Sequence, residues 1–564
     1  MQPYPTPFEA GNGNQTTTWA QCIGFYERLA ADFPEQLRFW EIGVSDNGVP
    51  LHAGAVTADG EFDRERLQAA GRPVFFNNNG IHPGEPEGID ACMALVRDFC
   101  IEPERLAALG SCVFLFIPVY NVDGCLQRNT TSRANQVGPE SSGFRGNGRN
   151  LDLNRDFVKC DSLAAQAFNR FFAAWDPDVM VDTHTSNGAD YHYTMTLIHT
   201  QADKLGGPLG AFLRDTMLDA IYGDMDRRGW PTTPYVHPVR ETPDDGIAHM
   251  LDVARFSTGY AALNHTIGFM PETHMLKPFA DRYAAMRALV ESVLAFSVDH
   301  GAQIQALRRD ARAQAGSRTR WPVHWQIDYT RPRTARFKGY RAVYRPSTLG
   351  NYLRLGYDRS QPWERDIACF ERATADIEVD APRAYLVPAA WREVAQRLQW
   401  NRVQVQTPAP GQTLQVRRWR IAAVKTRAVP YEGHMFHDEV SLQAEAGSYE
   451  TRAGDLLVPL DQPRARYAVE TLEPQAHDSF FRWGFFNSVL EKKERYSGYV
   501  FEDLASEMLQ QEPALRERFA QWASQHPESL SDQGAVLDFI FTHGQRFAEP
   551  GWMTYPVLSV LNFS

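Results

Sequence analysis

Three short apolar runs in the first half of the chain each end in a cluster of polar residues, and this placement constrains the fold more than any other feature. The runs cover residues 73–78, 178–182 and 266–271, and the clusters cover 77–85, 182–187 and 272–274. Short apolar runs bounded by turn signals read as strands covered on both faces. Helical patterns lie between and around them, at residues 16–33, from Pro86 to about 99, and at 163–175, 205–228 and 279–315. A fourth apolar run, 113–119, and two runs at 37–44 and 51–57 that can pair complete the set. Strands alternating with helices specify an α/β fold, a mixed or parallel sheet sandwiched by helices. Functional groups in such sheets gather at the carboxyl ends of strands, where the three clusters fall.

The texture changes after about residue 315. Residues 316–335 are polar and basic, carry Pro322 and Pro332, and show no strong period. They read as a linker between a first domain, 1–315, and a second, 336–564. The second has short β-type runs at 336–344, 375–379, 403–406 and 414–424, with helical pieces at 389–398, 480–493 and 499–522. That makes it a β-rich α+β domain. A length of 564 residues accommodates two such units.

Composition excludes several classes. A chain that is 43% hydrophobic and 12% aromatic is not largely disordered. Its 57 basic and 69 acidic residues leave a charge of −12, which repels phosphate backbones, so nucleic acid is not an expected partner. No stretch reaches the ~18 apolar residues of a membrane span. Seven cysteines without a CxxC pair form neither a disulfide scaffold nor a cysteine zinc site. Buried thiols, or one or two disulfides, remain open. Residues 1–14 lack a signal-peptide core. The expected location is cytoplasmic, or periplasmic or secreted if a leader has been removed.

The chemistry lies in the first half. His82-Pro83-Gly84-Glu85 places an imidazole and a carboxylate three residues apart on a sharp turn. Zinc accepts both ligand types and needs a third from elsewhere, leaving a fourth position open for water. His184, at the end of the run 178–182, is the natural candidate. Alone, an HxxE pair is a weak signal. The Gly-rich segment 146–156 contains Asn154-Arg155, and Arg145 precedes it. An amide beside a planar guanidinium suits a carboxylate. A loop arginine paired with Asp152 or Asp156 is the plainer reading.

Taken in order, these segments resemble the zinc carboxypeptidases of the carboxypeptidase A type, the M14 peptidases. His82 and Glu85 match the family's HxxE pair. The segment Pro118-Val119-Tyr120-Asn121-Val122-Asp123-Gly124 is similar to its Asn-Pro-Asp-Gly strand end, with Val122 in place of the proline. Asp152-Leu153-Asn154-Arg155 matches the Asp-x-Asn-Arg motif, Asp182-Thr183-His184 the third-ligand strand end, and Pro271-Glu272-Thr273-His274 the last motif. The resemblance covers about residues 11–295.

It implies one zinc ion per chain on His82, Glu85 and His184, with Glu272 as general base. It further implies Arg145 as oxyanion partner, and Asn154 and Arg155 as the grip on the terminal carboxylate of a peptide substrate. Arg133 or Arg128 are alternatives to Arg145. Tyr260 is a candidate for the family's mobile tyrosine, with a core tyrosine as the alternative. Arg255, if it entered the side-chain pocket, would favour acidic terminal residues; a paired or solvent-facing arginine is the other reading. The same motifs are similar to those of zinc deacylases of N-acyl amino acids. Cell-wall peptides are another substrate class, and a non-catalytic peptide-binding scaffold is the non-enzyme alternative. Residues 459–463 and 483–486 resemble C-terminal extensions of large bacterial members of the group.

Overall fold

A computed structural model describes residues 3–563. The outermost residues of the two expected domains, 1, 2 and 564, lie outside the described part. The first half is a helix-flanked sheet whose strands run in the order Leu37–Val44, Pro50–Val56, Val113–Ile117, Val74–Asn78, Val179–Asp182, Ile267–His274, Met195–His199 and Thr232–Pro234. A short ninth strand, His184–Ser186, pairs with Ile267–His274. Val74–Asn78 is parallel to both its neighbours, and Val179–Asp182 is parallel to Ile267–His274. The first two strands form the expected antiparallel pair. This is the mixed sheet sandwiched by helices that the sequence specifies.

Local sequence explains the elements. The helix Trp19–Asp32 starts at Thr18, whose hydroxyl accepts from the Gln21 N–H while Gln21 accepts from Thr18 in return. It buries Ile23, Tyr26 and Leu29 on one stripe. Helix Glu87–Ile101 follows Pro86, whose missing N–H costs nothing there. Leu163–Trp175 is capped by Ser162, and Phe279–Gly316 runs as one long helix.

Two expectations need correction. Residues 316–335 are not a linker. Arg320–Ile327 is a strand paired antiparallel with Ala373–Asp380. Trp321, Val323 and Trp325 point alternately inward, a period of two masked by the arginines and prolines around them. Residues 480–493 are not a helix. They form turns with one short 3-10 segment, Asn487–Leu490, and Gly484 has φ +78°. Phe480, Phe481, Trp483 and Phe486 are all buried, so this run is apolar without being amphipathic. Helix Ala465–Leu472, by contrast, gave no clear signal.

The two halves share one core. A single apolar cluster joins Leu51, Phe76 and Phe168 of the first half to Trp321, Tyr467 and Val557 of the second. The long hairpin of Arg333–Pro346 and Leu353–Phe370 adds to Ile247–Ala248 of the first half. A five-stranded sheet in the order His437–Glu450, Thr413–Thr426, Leu558–Phe563, Ala384–Val387 and Leu456–Pro459 makes the second half β-rich. All seven cysteines are free and buried. Among the described residues no helix is long and apolar enough to cross a membrane.

Two buried carboxylates anchor helix Glu87–Ile101. Glu87 receives Arg282 Nε at 2.5 Å and the Thr185 hydroxyl at 2.7 Å, and both carboxylate and guanidinium are fully buried. Arg282→Met strands the Glu87 charge and is expected to cost about 3–5 kcal/mol, read as a fall in the urea midpoint. Asp90 receives the Thr16 hydroxyl and the Thr17 N–H. Burial pushes its carboxyl up to about 7, against these hydrogen bonds. An unfolded aspartate titrates near ~3.9, so the native state holds this proton more tightly. The stability this proton contributes is full below about pH 4 and is lost as pH rises through about 7. Asp90→Asn should therefore gain stability relative to the parent protein across that window, measured by denaturant unfolding at stepped pH.

Candidate metal centre and substrate cleft

The strand ends converge as the sheet order demands. Asn78 sits opposite Asp182, and Glu272 sits opposite His184. The turn after Val74–Asn78 is closed by the Glu85 N–H donating to the His82 carbonyl at 2.8 Å. It presents both side chains beside His184. Helix Glu87–Ile101 starts directly against this strand end, where only glycine fits: a Cβ on Gly88 would lie 1.9 Å from Thr183 Oγ1.

His82, Glu85 and His184 are each 2% exposed, and one donor atom from each lies within 4.8 Å of the others. Both imidazoles turn Nδ1 toward Glu85, at 3.4 Å for His82 and 3.2 Å for His184. Their Nε2 atoms are held from behind, by Asp152 at 2.9 Å and by Asp182 at 2.9 Å. Asp182 is in turn fixed by the Asn78 amide at 2.9 Å. His82 Nδ1 is buried without a hydrogen-bond partner. Two imidazole nitrogens and a carboxylate oxygen, each imidazole oriented by an outer carboxylate, are a donor set that fits zinc.

Charge around the trio is dense. Arg133 donates to Glu85 Oε1 at 2.8 Å and to the Thr185 carbonyl at 3.1 Å. Arg145 donates to Asp152 at 2.9 Å and reaches Glu85 at 3.4 Å. The Arg145 loop is held by Asn121, whose amide donates to the Arg145 carbonyl at 2.8 Å. Burial would push Glu85 up, but Arg133 and His82 hold it well below the usual carboxylate range. Glu272 goes the other way. Burial pushes it up to about 8, with Glu85 adding and His184, Arg145 and Arg133 opposing.

Asn154 and Arg155 lie on the short helical turn Leu153–Arg155, with Asp152 as its cap. Asn154 Oδ1 accepts from the Ser257 N–H at 3.2 Å. The Arg155 guanidinium lies 4.5 Å from the Phe256 ring centroid and donates through Nε to the Tyr431 hydroxyl at 3.0 Å. Asp152 thus connects the two regions, touching His82 through Oδ1 and lying 3.9 Å from Arg155 Nη1 through Oδ2.

Other candidates lie elsewhere. Arg128 is spent on the Thr17 and Ser141 carbonyls, both at 2.8 Å. Tyr260 is a core residue, fully buried, with its hydroxyl on Asn401 at 2.6 Å. It has no room to move as a closing tyrosine. Arg255 is pinned by Asp478 at 2.8 Å beneath the rings of Phe436 and Trp483. It is therefore a paired arginine rather than a free charge in a pocket.

Sequence reasoning missed three residues here. Half-buried Tyr235 has its phenol pushed up by burial and then by Glu272 and Glu85. Its segment, Pro234-Tyr235, carries no motif. Tyr431 and Glu432 come from the second half; the Asp152 N–H donates to Glu432 Oε2 at 2.8 Å. At 276 residues from Arg155, Tyr431 could be found only through the fold.

A family model described as zinc carboxypeptidase, Peptidase_M14, matches residues 23–187. Carboxypeptidase 2 of Trichophyton tonsurans is 24% identical over 424 residues, covering 72% of each chain. That of Trichophyton rubrum is 23% identical over the same length and coverage. Among solved structures, a metallo-carboxypeptidase from Burkholderia cenocepacia is 15% identical, covers 51% of this chain and 70% of its own, and has a TM-score of 0.38. Carboxypeptidase A from Helicoverpa armigera is 15% identical, covers 52% and 74%, and has a TM-score of 0.37. The His-x-x-Glu turn and the third histidine lie inside the segment that is similar to the M14 zinc carboxypeptidases.

Proposed function

We propose that this chain is a metallocarboxypeptidase that removes single residues from the carboxyl terminus of peptides, using His82, Glu85 and His184 to hold one zinc ion and Glu272 as general base. The observation that carries the reading is the buried Glu272 carboxyl set opposite His184 in the strand register, beside a trio fit for zinc. Zinc bound there supplies a Lewis acid and lowers the pKa of a bound water toward ~7.

The remaining roles belong to the protein. Glu272 takes a proton from the attacking water and passes it to the leaving amine. Arg145 and Arg133 face the same carboxylate, Glu85, and supply positive charge where the scissile carbonyl oxygen becomes an oxyanion. One such donor is worth about 3–4 kcal/mol. Asp152 and Asp182 keep each imidazole turned toward the centre. Arg155 and Asn154 receive the free carboxylate of the substrate's last residue. This grip separates a carboxypeptidase from an enzyme that cuts within chains.

The direct test is a mass-spectrometric time course of the zinc-loaded protein on a mixed peptide library with free and amidated carboxyl termini. Stepwise loss of single residues from the free forms alone is expected. Equal cleavage of amidated forms would overturn the terminal-carboxylate grip, and cleavage of N-acyl amino acids alone would favour a deacylase. Glu272→Gln should lower kcat by roughly a thousandfold or more, in keeping with the loss of a general base, while zinc content by mass spectrometry stays at one per chain. His82→Ala should lose the metal, because two ligands on a buried trio leave an incomplete site.

A further inference from the structure

A loop of the second half reaches Asp152 and Arg155, and its chemistry goes beyond packing. The loop joins Thr413–Thr426 to His437–Glu450. It folds on itself through Tyr431 and His434, which exchange backbone hydrogen bonds of 2.8 and 3.0 Å. Glu432 adopts φ +49° and Gly433 φ +83° to make this turn. A left-handed glutamate is an uncommon conformation that persists only where neighbours impose it. Three contacts do so. Tyr431 takes the Arg155 Nε–H, Glu432 takes the Asp152 N–H, and His434 meets Asp161 at 2.6 Å. The Tyr431 ring is stacked on Trp483 at 5.8 Å between centroids, at 12°.

The hydrogen-bond inventory of Tyr431 is incomplete. A phenol offers one proton and accepts through oxygen. The oxygen receives Arg155 Nε–H at 3.0 Å, and among the described residues no acceptor takes the phenol's own proton. Arg155 is also partly used. Its Nη1 donates to the Asn154 carbonyl at 2.9 Å, and its Nη2 has no hydrogen bond to the described residues. Nε and Nη2 form one edge of the planar guanidinium. A free donor and a free phenolic proton therefore stand side by side, on a side chain that is still partly exposed.

We propose that Tyr431 is a substrate-positioning residue, whose hydroxyl donates to one oxygen of the peptide's terminal carboxylate while Arg155 Nη2 holds the other. This rests on the carboxypeptidase reading above and extends it: half of the terminal-carboxylate grip comes from the second half of the chain. The preferred ligand class follows. It is a planar carboxylate on the last residue, whose two oxygens satisfy both donors at once.

The test is steady-state kinetics on the peptide that the parent enzyme trims best. Tyr431→Phe keeps the ring on Trp483 and removes only the hydroxyl. It should raise KM about tenfold to a hundredfold, the scale of one hydrogen bond to a charged group, with kcat within about twofold and zinc content unchanged. An unchanged KM would overturn the proposal while leaving the carboxypeptidase reading intact. A second variant separates donation to substrate from simple bracing of Arg155. Difluorotyrosine placed at position 431 carries a phenol that ionises within the working pH range. If the hydroxyl donates to the carboxylate, KM should climb with pH as that phenol ionises, with no such step in the parent enzyme. A flat or falling KM would assign bracing alone and overturn the proposal. Failure of the parent enzyme to release terminal residues from any peptide would overturn both readings together.

Discussion

Each imidazole of the site is held from behind by an aspartate, and most of the surrounding structure serves to keep those two carboxylates in place. Asp182 lies at the end of a central strand and is locked by Asn78 from the neighbouring one. Asp152 lies on a loop and needs more. It receives Arg145 on one side, and its backbone is held by Glu432. A buried carboxylate without such partners would carry a heavy desolvation cost. Arg145, which offsets this cost at Asp152, also reaches Glu85 of the trio, so one guanidinium serves both carboxylates.

This arrangement explains why the second half is not a detachable appendage. Its apolar residues complete the core behind the sheet, and its polar residues reach the front. Asn401 links Tyr260 to Tyr467 by hydrogen bonds of 2.6 and 2.9 Å in the buried seam. Arg464 joins Asp176 at 3.2 Å across the same seam. Such polar links in low dielectric specify one relative placement of the halves, because any slip leaves groups unsatisfied.

Much of this was legible in the sequence, and the failures have physical causes. The strand ends and helices of the first half follow from uninterrupted apolar runs and clear caps, as at Thr18 and Ser162. His82, Glu85 and His184 could be grouped because two lie on one turn and the third ends a strand. The aspartate behind His82 was visible as part of a motif, but its role was not, since it lies 70 residues away in sequence. The strand Arg320–Ile327 was hidden because arginine and proline obscured its alternation. The aromatic turns around Trp483 looked helical because a fully buried segment has no polar face to set its period. Tyr431 had no local signal. Only the packing of two distant hairpin strands brings it to Arg155.

The middle strand of the second half's sheet, Leu558–Phe563, is also the last of its five in sequence. It sits between Thr413–Thr426 and Ala384–Val387, pairing with both. During synthesis the two flanking strands emerge first and cannot meet through it. The sheet therefore closes only after Leu558–Phe563 has left the ribosome, and contacts this distant in sequence form slowly. The hairpin that carries Tyr431 is built on one of those flanking strands. A nascent chain would thus carry His82, Glu85 and His184 well before Tyr431 can be held against Arg155, so the contact between the halves arrives at the end of folding rather than in its course.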